Sequence, residues 1–470
     1  MAKFSDLPID ILMEICDFLL HRGTTIEEVF AKAHVAFCIE PTLLEDIIAL
    51  TLQQGHSSVV ALSQVSPSYE PLLQCLDRTL SLHGKTFLSD AVRFLKLIDS
   101  KPEIAQRVKI VYLNLEEKDC ADADFDGQTV DYLRQLAENG GIPWSEEPSC
   151  HLPVSYVFSG STLEDRINTV ARILIGRLPN VEQLGLSLPA LPLGYHDNPK
   201  RSPESNVVLK RLKHLALRTY SPVMSRNVRR GYRILEDLAV TPTHLFLQDP
   251  FLCHVGIGPT AKPFSHLFQH VTHLILGGQM THEGDHESEI IHMIECCAPL
   301  QDFRCEAPMR NHDSGTHGAL AIINSLKKQH ATSLRTLAIR FCQGWLEDDL
   351  DCIEFTSFIN LENLCMTTAC IKKRQVGRAK DDATRTEGTI TTLPKSLIQI
   401  YFLDYPQCIA DELKWLASHR EALPNLKLVH FWDTRMWNEW GGWEDTESDA
   451  LVNSGLNVLP LTCDAVDWQV

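Results

Sequence analysis

Apolar residues recur along the chain in six-residue clusters, at the first, fourth and sixth positions. The clusters run Val108-x-x-Val111-x-Leu113, Val181-x-x-Leu184-x-Leu186, Leu212-x-x-Leu215-x-Leu217 and Leu235-x-x-Leu238-x-Val240. They continue as Val271-x-x-Leu274-x-Leu276, Leu300-x-x-Phe303-x-Cys305 and Leu334-x-x-Leu337-x-Ile339. Leu361-x-x-Leu364-x-Met366, Leu397-x-x-Ile400-x-Phe402 and Leu426-x-x-Val429-x-Phe431 complete the series. The last two apolar positions are two residues apart, so they share one side of a short strand, and the first covers the turn into it. From the second cluster on, starts lie between 23 (Leu212 to Leu235) and 36 (Leu361 to Leu397) residues apart. Between clusters the spacing turns helical. Thr162–Leu178 sets Leu163, Ile167, Val170, Ile173, Leu174 and Leu178 on one helical face, and Glu287–Cys297, His317–Gln329 and Cys408–Ala422 read the same way. A helix–strand pair cannot bury its apolar face alone, whereas stacked pairs make one continuous core.

The series resembles the L-x-x-L-x-L core of a leucine-rich repeat. The resemblance implies an α/β fold, an irregular solenoid of helix–strand repeats with a parallel curved sheet, over residues 84–470 with a C-terminal cap. After Phe431 the pattern stops, and Trp432, Trp437, Trp440 and Trp443 gather among acidic residues. That is the composition of a cap over the last repeat or, alternatively, of an aromatic ligand surface.

The N-terminal stretch FSDLPIDILMEICDFL has Ser5 and Asp6 as N-cap candidates, Pro8 at the start of a helix, and Ile11, Leu12, Ile15, Phe18 and Leu19 on one face. A helix this short needs something to cover that face. Leu7, Pro8, Asp10, Ile11 and Leu12 resemble the first helix of an F-box. Leu62, Val65, Ser66, Tyr69, Leu72, Leu73 and Leu76 resemble its second half in fungal proteins, and Thr79–Leu82 its closing short strand. Tyr69 stands where Trp is usual, and an insertion at about 22–56, with helix-like pieces at Ile26–Phe37 and Pro41–Gln54, separates the halves. The order of the parts is that of fungal F-box/leucine-rich-repeat proteins: an F-box-like helical module at 1–83, then the solenoid. This resemblance implies the substrate-recognition subunit of an SCF-type (Skp–cullin–F-box) ubiquitin ligase. Leu7, Pro8, Ile11, Leu12, Ile15, Leu62, Val65 and Leu76 would meet the Skp-type adaptor, and the repeats would hold a protein substrate. Such a receptor is not an enzyme and needs no cofactor or metal. The alternative is a non-catalytic interaction scaffold with a degenerate F-box.

Composition narrows the classes. With 44% hydrophobic and 22% charged residues the chain is globular in type. A formal net charge of −18 argues against nucleic acid and anionic membranes as partners. No apolar run approaches the ~18 residues of a membrane span. Behind Lys3 there is no apolar core of a secretory signal, and the fifteen cysteines form no repeated Cys-x-x-Cys, so reduced thiols and a cytoplasmic or nuclear location are expected. From Phe87 to Ser100 an amphipathic helix is predicted. Cys120–Cys150, Pro189–Asn206, Asp249–Pro263 and Ala369–Thr392 read as loops. Lys372, Lys373, Arg374, Arg378 and Lys380 within the last make a basic run, read as a solvated loop or, alternatively, as a nuclear-import or acidic-partner patch. Histidines cluster from His254 to His292, and His266 and His270 are four apart, a metal pair if helical, but no HExxH motif accompanies them. They read as structural or surface histidines, and Cys296 and Cys297 as small core residues.

Overall fold

The computed structural model describes residues 78–82, 84–115, 125–140, 161–188, 209–219, 240–248, 265–277, 286–306, 317–340, 354–366, 392–402, 419–432 and 457–461. The described residues divide into two compact units, with the boundary between His270 and Val271.

In the first unit five parallel strands follow one another in sequence order: β1 Thr79–Leu82, β2 Ile110–Asn114, β3 Gln183–Leu188, β4 His214–Thr219 and β5 His244–Gln248. Strand alternation decides which side chains enter the core. The register aligns Leu80, Val111, Leu184, Leu215 and Leu245 in one column and Leu82, Leu113, Leu186, Leu217 and Leu247 in a second. All ten are buried, each worth about 1.5–3 kcal/mol. Helix α1, Phe87–Ser100, buries Phe87, Leu88, Ala91, Val92, Leu95 and Ile98. A turn at Gly84, at φ +69°, leads into it; only glycine adopts that backbone without strain. Helix α2, Pro102–Arg107, begins with its proline, and α4, Ser161–Gly176, buries Ile167, Val170, Ile173 and Leu174.

The second unit repeats the arrangement over seven parallel strands, again in sequence order. These are β6 His273–Gly277, β7 Asp302–Glu306, β8 Thr336–Arg340, β9 Asn363–Met366, β10 Gln399–Phe402, β11 Leu428–Trp432 and β12 Asn457–Leu461. Leu274, Phe303, Leu337, Leu364, Ile400 and Val429 form one buried column, and Leu276, Cys305 and Ile339 start another. Helices α6, His286–Cys296, and α7, His317–His330, precede β7 and β8 and bury Ile290, Met293, Ile294, Ile322, Ile323 and Leu326. Before β9 the described residues form turns instead. There Phe355, Phe358 and Leu361, all fully buried, fill the core.

Two devices lock repeat to repeat. The carbonyl just after the first apolar position accepts two successive N–H groups of the next repeat: Lys109 O takes Glu182 N and Gln183 N at 2.7 and 3.0 Å, and Glu362 O takes Ile398 N and Gln399 N at 2.8 and 3.0 Å. The residue just before the first apolar position adds a side-chain bond to the preceding repeat. Asn180, Asn360 and Asn425 donate to the carbonyls of Gln106, Thr332 and Lys395 at 2.7, 2.7 and 3.0 Å. Ser333 and Ser396 donate to those of Leu300 and Leu361 at 2.7 and 2.8 Å.

Several sequence expectations are corrected. The described strand of the repeat placed at Leu235–Val240 is β5, His244–Gln248, where buried Pro242 takes the first apolar position and Leu245 and Leu247 follow. Val240 is buried outside any strand. Beyond Phe431, where the apolar pattern stops, one more strand follows: β12 pairs with β11, and its Pro460, which lacks an N–H, sits on a strand with a single neighbour among the described residues. Cys120–Cys150 is not all loop, since it contains α3, Gly127–Asn139. Asp126 caps that helix by accepting Thr129 N at 2.7 Å, and Leu133 and Ala137 are buried. That bond holds the Asp126 carboxyl below the usual range. Strand β1, read as the close of the F-box pattern, pairs with β2 of the repeats. Of the helix read at Cys408–Ala422, residues 419–422 are not helical and the rest lie outside the described residues. So do Ile26–Phe37, Pro41–Gln54, Pro189–Asn206, Asp249–Pro263, all of Ala369–Thr392 but Thr392, with its basic run Lys372–Lys380, and Leu235, Leu238, Trp437, Trp440 and Trp443.

Candidate functional site

All eight residues read as adaptor-binding, Leu7, Pro8, Ile11, Leu12, Ile15, Leu62, Val65 and Leu76, lie outside the described residues. What the structure displays is the strand face opposite the core. With every other side chain turned inward, the intervening positions line up by register into rows on the outer face.

In the first unit one row reads Thr79, Ile110, Gln183, His214 and His244. The rings of His214 and His244 lie 4.4 Å apart and tilted by 42°, and His244 Nδ1 is 2.9 Å from Thr243 Oγ1. Tyr112 OH and Ser187 Oγ share a hydrogen bond of 3.2 Å.

The second unit carries the denser chemistry. One row is His273, Asp302, Thr336, Asn363, Gln399 and Leu428; the next is Ile275, Arg304, Ala338, Cys365, Tyr401 and His430. Asp302 and Arg304 are two apart on β7, so both point outward, and they form a fork. Arg304 Nε donates to Asp302 Oδ1 at 2.9 Å and Nη2 to Oδ2 at 2.6 Å. The two side chains are only 7% and 12% exposed. Arg304 Nη1 is buried and makes no hydrogen bond. A buried donor left unpaired costs about 1–3 kcal/mol; Arg420 Nη1 and Ser325 Oγ are in the same state. Tyr401 donates its hydroxyl to Gln399 Oε1 at 2.6 Å and stacks on His430 with ring centres 4.5 Å apart and planes within 4°. Burial raises the Tyr401 phenol above its ordinary value. Asn363 Nδ2 reaches Thr336 Oγ1 at 3.3 Å. His273 is held below the usual imidazole range, chiefly by burial.

A polar groove of about 320 Å³ lies where the chain turns into β9, β10 and β11, lined by Asn360, Glu362, Ser396, Ile398, Asn425 and Lys427. Its asparagines and serine are the repeat-locking residues, so its lining belongs to the fold.

Of the histidines singled out, His270 sits in a turn beyond α5, Ser265–Phe268, so His266 and His270 do not share a helix. His273 is on β6 as expected, and His292 lies 3.6 Å from Cys296 Sγ. His254 and His282 lie outside the described residues. Cys296 and Cys297 are free and half-buried, and burial raises both thiols above the ordinary range. No group of three His, Cys, Asp or Glu among the described residues is placed to hold a metal ion. No described helix is long and apolar enough to cross a membrane.

Sequence reasoning passed over Asp302 and Arg304. The signal was present: in D-F-R-C-E the apolar positions face the core, which leaves Asp302 and Arg304 side by side on the other face. No family model and no curated protein matches the chain.

Proposed function

We propose that this chain is the substrate-recognition subunit of an SCF-type E3 ubiquitin ligase, docking on the Skp-type adaptor through Leu7, Pro8, Ile11, Leu12, Ile15, Leu62, Val65 and Leu76. The substrate is a protein held on the outward strand face. The observation that carries the reading is the join: Thr79–Leu82, where the resemblance to an F-box closes, is the first strand of the repeat sheet and pairs with β2. An adaptor-binding module and a repeated strand face are then one continuous device. A receptor of this kind makes and breaks no bonds; it raises the local concentration of the substrate beside the transferase. It acts without cofactor, metal, nucleic acid or membrane.

The second reading is a non-catalytic interaction scaffold with a degenerate F-box. The insertion at about 22–56 favours it, together with Tyr69 in place of Trp. A pull-down of the full chain with recombinant Skp-type adaptor separates the two: retention supports the receptor, and no retention supports the scaffold.

A further inference from the structure

We draw no further inference here: the strongest candidate, the polar groove where the chain turns into β9, β10 and β11, carries nothing, because Asn360, Ser396 and Asn425 in its lining already tie repeat to repeat and nothing in the structure shows what would occupy it.

Discussion

The side-chain amide of Asn360 donates to the main-chain carbonyl of Thr332 over 2.7 Å, and Asn425 bears the same relation to Lys395 two repeats on. Each bond ties the turn before a strand to the turn before the previous strand. It acts where the ladder has not yet begun. Asn360→Ala should lower the stability of the full chain by about 1 kcal/mol in urea unfolding, the net worth of one hydrogen bond. Asn425→Ala should cost a similar amount. Changes within ~0.3 kcal/mol for both would mean the ladder carries no load.

Phe303 sits in the second unit's core column, fully buried between Leu274 and Leu337 in register. Phe303→Ala should cost about 3–5 kcal/mol by cavity formation. Its neighbour Ala338 faces the other way, so Ala338→Ser should cost far less. Similar losses for the two in denaturant titrations would contradict the assignment of faces.

His330 closes α7 onto the preceding repeat. Its Nδ1 accepts Leu300 N at 3.1 Å and its Nε2 lies 3.1 Å from Ile294 O, which makes it the neutral Nε2–H tautomer. Burial, the largest cause, lowers its pKa below the ordinary 6.5. The unfolded chain therefore takes up a proton before the folded chain does. Stability is full above about pH 6.5 and falls as pH drops through that value toward the lower folded pKa. His273 shifts in the same direction. Unfolding of wild type should be easier at pH 5.5 than at pH 7.5, and His330→Gln should flatten part of that slope. A slope unchanged in His330→Gln would contradict this.

Asp99 on α1 accepts Tyr132 OH of α3 at 2.6 Å and pairs with Arg177 beyond α4. Both charged groups are about a third or more exposed, so the ion pair is worth under about 1 kcal/mol. A double-mutant cycle of Asp99→Ala with Tyr132→Phe should return a coupling of roughly 0.5–1.5 kcal/mol. A coupling near zero would show that the three helices are held by apolar contact alone.

Most of the strands were legible because two apolar residues at alternate positions are what a half-buried strand needs. Where the first position is Pro242, or where Pro460 pairs in register with Phe431 in β12, the apolar signature fails while the strand persists. Pairing with the neighbouring strand overrides local preference there. Helix α3 was hidden by its acidic, turn-like flanks, although Asp126 followed by Leu133 and Ala137 has the spacing of a capped helix. The asparagines and serines before Val181, Leu334, Leu361, Leu397 and Leu426 were in plain view. Their role is invisible without the fold, because the carbonyl each one meets lies in another repeat. The Arg304 fork was missed for the opposite reason: attention to apolar positions discards the outward ones, where recognition chemistry sits.

The most direct measurement is the affinity of the purified full chain for recombinant Skp-type adaptor by isothermal titration, wild type against Leu7→Ala/Pro8→Ala. Burying one such apolar side chain is worth about 1.5–3 kcal/mol, and tenfold in affinity is about 1.4 kcal/mol. The proposed function requires that wild type binds, that the double variant binds at least about tenfold more weakly, and that the thermal transition of the repeats stays in place. No binding by wild type, or equal binding by the two proteins, would contradict it.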